Sequence, residues 1–130
     1  MNALIIASGL MLLVYLWTGI ACGRARVVHS VAAPAVTGHP IFERAYRVQM
    51  NTLEQLAFAL PAVWLLGWTL SYTWAAAAAV VWCIGRVWYA LAYVADPAKR
   101  GPGFLISFVA GAGALVVAIG AAVTRIVSGG

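Results

Sequence analysis

The residues able to do chemistry gather in one segment, Phe42 to Glu54, with the sequence FERAYRVQMNTLE. Within it Glu43, Arg47, Asn51 and Glu54 follow one another at intervals of four, four and three. At about 100° per residue they fall within an arc of about 80°, one polar stripe on one face of a helix. The stripe opens an otherwise apolar run, and a charge at membrane depth costs at least ~2.5 kcal/mol unless paired or hydrated. It must therefore face the rest of the bundle, a neighbouring subunit or a water-filled pocket. Arg47, Asn51 and Glu54 together point to a binding site. For Glu43 a ligand role and a salt bridge to Arg47 that merely pins helices together are both open.

A second face matches the first. Arg86, Tyr89 and Tyr93 stand at i, i+3 and i+7, within an arc of about 60°. Tyrosines at this depth commonly form only an aromatic belt, but beside Arg86, and with Arg100 just beyond the helix, they are placed to line a pocket. Arg86 also reads as a simple partner for Glu54 or Glu43. Cys22 and Cys83 show no metal spacing and read as small buried hydrophobes. His29 and His39, ten apart with no cluster of acids, do not suggest a metal site.

The elements that carry these residues follow from composition. Of 130 residues 65% are hydrophobic and 8% charged, against roughly a quarter charged in a soluble domain. With about 20 apolar residues per span, the length accommodates four spans, short connections and no soluble domain. The expected fold is an all-α membrane protein, a four-transmembrane-helix bundle in a single domain over residues 1–130, with helices near 3–22, 41–66, 72–94 and 104–126. The first run carries no preceding Lys or Arg and is too long for a signal-peptide core, so it is expected to remain as a helix. Gly23 to Pro40 reads as the longest connection, Gly67 to Ser71 as a short turn and Asp96 to Gly103 as a second polar connection. Pro61 should kink the second helix unless neighbours take up the freed carbonyl. In the fourth, Ser107 and Gly111, then Ala118 and Ala122, repeat a spacing that lets helices approach closely.

The net charge of +5 reads as basic flanks facing anionic lipid rather than as a nucleic-acid surface. Arg24, Arg26, Arg44, Arg47, Lys99 and Arg100 lie at or beside the first and third connections, and only Arg125 at the opposite side. By the positive-inside rule those connections are cytosolic and both termini lie outside.

FERAYRVQMNTLE, followed by GRVWYALAYVADPAKRGPG from Gly85 to Gly103, resembles the MAPEG family, the membrane-associated proteins in eicosanoid and glutathione metabolism. The pattern E-R-x-x-R-x-x-N-x-x-E is complete at Glu43, Arg44, Arg47, Asn51 and Glu54, and the helix pattern at Arg86, Tyr89, Tyr93 and Arg100. The resemblance covers the whole chain. It implies a homotrimer with glutathione sites in crevices between subunits, open to the cytosolic side. By the same resemblance Arg26, Arg47, Asn51, Glu54, Tyr89 and Tyr93 hold glutathione. Arg47 and Arg26 pair with its carboxylates, Glu54 with its ammonium and Asn51 with its amide groups. Arg100 is implied to be catalytic, favouring the thiolate and lowering the thiol's pKa. Glu43, Arg44 and Arg86 take structural or supporting places.

The function so implied is that of a membrane-bound glutathione transferase or peroxidase acting on a lipophilic electrophile or lipid hydroperoxide, with glutathione as co-substrate and no metal. Gln55 follows Glu54 where some leukotriene-forming members carry tyrosine, which leaves the electrophile open. The alternative is a non-catalytic lipid- or glutathione-binding membrane scaffold of the same family. A four-helix multidrug transporter would need an acid in the first spans, and the first helix has none.

Overall fold

The computed structural model describes all 130 residues and contains four long helices. They are α1 (Asn2–Val28), α2 (Pro40–Thr69), α3 (Tyr72–Ala95) and α4 (Gly101–Val127), with a short 3-10 turn at Pro97–Lys99 before α4. Local chemistry sets most of the boundaries. His39 starts α2, its Nδ1 accepting from the Ile41 amide, with Pro40 in the first helical turn. Ser71 starts α3 by accepting from the Trp74 amide. Asp96 ends α3 and caps the 3-10 turn through the Ala98 amide.

Several boundaries differ from the sequence reading. α1 runs on to Val28 rather than ending at Cys22, so Arg24 and Arg26 are helical and the connection shortens to residues 29–39. Basic side chains are favourable in the last turn of a helix, where the carbonyl ends of the dipoles gather, and nothing in Gly23–Val28 breaks the ladder. α2 extends to Thr69, and the turn to α3 contracts to Leu70 and Ser71. Gly67 is thus helical and buried, and a Cβ there would stand 2.8 Å from the Leu4 side chain. α2 continues unbroken through Pro61. α4 begins at Gly101, with Pro102 tolerated in its first turn.

α2 and α3 form the middle of the bundle, each touching both α1 and α4. The main core joins Leu4, Ala7 and Met11 of α1, Ala59 and Val63 of α2, Ala79 and Trp82 of α3, and Ala114 and Ala118 of α4. Small residues permit unusually close contact between α3 and α4. A Cβ on Gly85 would lie 2.6 Å from the Ser107 amide nitrogen, and one on Gly103 would overlap the Tyr89 backbone. Gly111 packs likewise against Ala59 and Phe58 of α2.

α1, α3 and the chain from Pro97 to Val127 are long and apolar enough to cross a membrane. α2 is long enough, but Glu43, Arg44, Arg47 and Glu54 lower its hydropathy and it is not among them. The basic residues near the two polar connections lie at one end of the bundle. Arg125 is at the other, where its guanidinium holds the Thr69 carbonyl at the close of α2.

Candidate functional site

The polar stripe of α2 organises itself around Glu54. Arg47 Nη1 donates to Glu54 Oε1 at 3.4 Å, and Asn51 Nδ2 donates to Oε2 at 3.2 Å. These are the i+7 and i+3 relations that the helix period brings to one face. The Arg47–Glu54 pair is the only salt bridge in the protein, with both side chains about half exposed, at 55% and 54%. Glu43 is exposed and makes no side-chain bond, so the bridge to Arg47 considered from sequence does not form. The reason is geometric: Arg47 turns along α2 toward Glu54, which Asn51 also holds.

Asn51 joins this exposed pair to a buried cation. Its Oδ1 accepts from Arg86 Nη2 at 3.0 Å, and the same nitrogen donates to Thr52 Oγ1 at 2.9 Å. Arg86 Nη1 reaches Ser107 Oγ of α4 at 3.4 Å. Arg86 is fully buried, its guanidinium stands 4.0 Å from the Tyr89 ring centroid, and its Nε alone lacks a partner. No carboxylate bonds to it, contrary to the sequence reading that paired Arg86 with Glu54 or Glu43. Neutral acceptors and an aromatic face stand in for an acid, the ring supplying up to ~2 kcal/mol when desolvated. Thr52 and Ser107 are free to accept because each hydroxyl donates elsewhere, Thr52 to the Val48 carbonyl at 2.7 Å and Ser107 to the Phe104 carbonyl at 3.0 Å.

Above this layer lies an open crevice of about 540 Å³ lined by Arg47, Asn51, Tyr89, Tyr93, Arg100 and Phe104. Tyr89 is buried, with its ring 5.5 Å from that of Tyr93 and 6.3 Å from that of Phe104. Arg100 sits at the start of α4, exposed, with Nη1 donating to the Pro97 carbonyl at 2.9 Å. The chain therefore brings Arg47, Asn51, Tyr89, Tyr93 and Arg100 to one cavity, with Glu54 bonded to two of them. Their charges suit a ligand with separate anionic and cationic groups.

Arg26 is elsewhere. It stacks 4.5 Å over the Phe42 ring and donates to the Ala35 carbonyl at 2.6 Å, beside a separate cavity walled by the end of α1 and Ser30 to Ala33. Arg44 caps α3, Nη1 donating to the carbonyls of Val94 at 3.0 Å and Ala95 at 3.4 Å. Thr52, Ser107 and Phe104 were not singled out as site residues from sequence. By sequence Ser107 reads only as a small packing residue, and the usable signal is Arg86 itself, since a buried arginine requires acceptors on the helices it faces.

The MAPEG family model matches residues 4–120, nearly the whole chain. The chain belongs to the MAPEG family. An uncharacterized protein of Synechocystis sp. is 48% identical over 104 residues, covering 80% of this chain and 74% of that one. Microsomal glutathione S-transferase 2 of Homo sapiens is 36% identical over 99 residues, 76% of this chain and 66% of the human protein. Leukotriene C4 synthase of Cavia porcellus is 35% identical over 77 residues, 59% of this chain and 51% of its own length. The chain thus spans about two thirds of the human relative and half of the guinea-pig one. MAPEG membership, with three strongly apolar helices, makes this an integral membrane protein of a family that includes glutathione-using transferases.

Proposed function

We propose that the protein binds glutathione in the crevice between α2, α3 and α4 and activates it as a thiolate for attack on a lipophilic electrophile or lipid hydroperoxide. The observation that carries this reading is the convergence of Arg47, Asn51, Tyr89, Tyr93 and Arg100 on one cavity. Glutathione presents two carboxylates, an ammonium, amide groups and a thiol. Arg47 matches a carboxylate, Glu54 the ammonium, Asn51 an amide, and the Tyr89 and Tyr93 rings form a wall. Binding requires Arg47 and Glu54 to exchange each other for the ligand, at small cost because a half-exposed pair is worth only ~0–1 kcal/mol. Arg100 at the mouth stabilises the thiolate by charge. The thiolate then forms a C–S bond as the electrophile's leaving group departs or its epoxide or activated double bond opens and takes up a proton. With a hydroperoxide it attacks the terminal oxygen, the O–O bond breaks, the lipid leaves as its alcohol after protonation, and the glutathione sulfenic acid so formed is taken to the disulfide and water by a second glutathione.

Arg26 belongs to this site only if a neighbouring copy supplies it, and its distance from the crevice within one chain suits the homotrimer that the family resemblance implies. In this arrangement α2 also spans the bilayer, its polar stripe turned into the crevice. The basic end faces the cytosol and both termini lie outside.

Arg100→Ala tests the catalytic role. The thiol pKa of bound glutathione, followed by thiolate ultraviolet absorbance, should rise. Each unit removes about tenfold of the thiolate at a pH below the pKa, so turnover near neutrality should fall with it. Alkaline pH should restore part of the loss, and glutathione affinity should change less because Arg47 remains. Unaltered turnover and thiol pKa would remove Arg100 from catalysis. A wild-type protein that fails to bind glutathione in a detergent titration would favour the scaffold.

A further inference from the structure

A second cavity shares no residue with the crevice. α1, α2 and α3 enclose an apolar groove of about 330 Å³, with Trp17 and Ala21 on one wall, Val48 in the floor, and Leu91, Val94 and Ala95 on the other wall. Its one polar lining residue, Thr18, spends its hydroxyl on the Tyr15 carbonyl. Trp17 and Leu91 are among the exposed large hydrophobics, so the groove opens onto the surface.

The basic end of this groove carries two cations. Arg44 adjoins the lining residue Ala45 and bonds the carbonyls of Val94 and Ala95, both groove residues, through Nη1 alone. Its Nη2 and Nε hydrogens have no partner in the protein. Arg24 lies three residues beyond Ala21 and seven beyond Trp17, on the same face of α1, exposed and without a hydrogen bond. The acids nearest in sequence leave both arginines unpaired: Asp96 accepts from the Ala98 amide, and Glu43 bonds nothing.

We propose that this groove seats an acyl tail of an anionic phospholipid whose phosphate is held by Arg44 and Arg24. Apolar walls at bilayer depth match the tail, and guanidinium N–H groups at the rim match phosphate oxygens. Two cations without protein acids select a net-negative headgroup over a zwitterionic one, whose own ammonium would meet them.

The test uses the full-length protein in detergent, titrated with dioleoylphosphatidylglycerol or dioleoylphosphatidylcholine and read by native mass spectrometry as lipid retained. The wild type should prefer the anionic lipid by about fivefold or more, and Arg24→Gln should reduce that preference about fivefold, the weight of one interfacial cation. Arg24 makes no bond in the protein, so this variant tests lipid without disturbing the fold. Ala21→Trp, which fills the groove, should lower retention of both lipids. Equal retention of the two lipids by the wild type, or unchanged retention by both variants, overturns the proposal. It is also overturned if Ala21→Trp breaks the oligomer while lipid retention stays constant, since a second copy would then cover the groove.

Discussion

Replacing Arg86 with methionine separates two roles that a buried arginine can combine. The substitution keeps an unbranched apolar stem but ends two atoms short of the guanidinium nitrogens, and it removes all three donated bonds, two of them short, to Thr52 at 2.9 Å and Asn51 at 3.0 Å, and one long, to Ser107 at 3.4 Å. Bonds between membrane helices average ~0.6 kcal/mol, so together they contribute about 1–2 kcal/mol. The stacking on Tyr89 adds up to ~2 kcal/mol. Against this, a cation with no acid beside it leaves the interior, relieving a burial cost of at least ~2.5 kcal/mol. No buried charge is stranded, which is the usual reason such truncations are severe. Thr52 and Ser107 keep their own donated bonds, and Asn51, half-buried at the crevice, can turn to water. Net stability should therefore fall by no more than about 2 kcal/mol, the small void left by the shorter side chain included, a shift of a few degrees in thermal denaturation. Glutathione affinity, measured by calorimetric titration, should fall about tenfold, because the amide that orients Glu54 has lost its anchor. A stability loss above about 3 kcal/mol with unchanged affinity would refute this reasoning and make Arg86 a keystone of packing alone.

Three further outcomes follow from the same geometry. Gly103→Ala should drive α3 and α4 apart at Tyr89 and destabilise the protein by about 1–3 kcal/mol, whereas Gly113→Ala, mid-helix with nothing within 4 Å of its Cβ, should be neutral or stabilise by up to about 1 kcal/mol; equal thermal shifts for the two would contradict the close contact. Arg47→Gln should alter stability by less than about 1 kcal/mol, since it breaks a half-exposed pair, yet weaken glutathione in titration; an unchanged affinity would remove Arg47 from the site. A fluorescent reporter that folds only in the cytosol should remain dark when fused after Gly130, and bright cells would invert the proposed topology.

The polar stripe was legible because helical period alone puts Arg47, Asn51 and Glu54 on one face, and all three interact there. The partner of Arg86 was not. Sequence reveals which charges exist but not that Glu54 is already held by Arg47 and Asn51, nor that hydroxyls on two other helices will serve the guanidinium. Thr52 and Ser107 were hidden for a related reason, since serine and threonine in apolar helices usually just bond back to their own carbonyls. The end of α1 was misplaced because Gly23, Arg24 and Arg26 look like a connection in one dimension, whereas the helix stops only after Val28. Only the family resemblance assigns Arg26 to the site, and a single chain keeps it in another cavity.

The buried guanidinium also constrains how the bundle can be made. As α3 enters the membrane, α4 follows it in the chain, and Ser107 is not yet among its surroundings. Arg86 alone in lipid would cost ~2.5–3.5 kcal/mol, and α2 with its four charged residues is a poor candidate to enter unaided. α2 shelters Arg86, because Asn51 and Thr52 supply its two short bonds, α3 serves Arg44 of α2 through the Val94 and Ala95 carbonyls, and only Leu70 and Ser71 separate the helices. With α2 spanning the bilayer as proposed, the natural unit of membrane entry is the α2–α3 hairpin, delivered as a pair, with α4 closing the last bond of a cation that its predecessors have already sheltered.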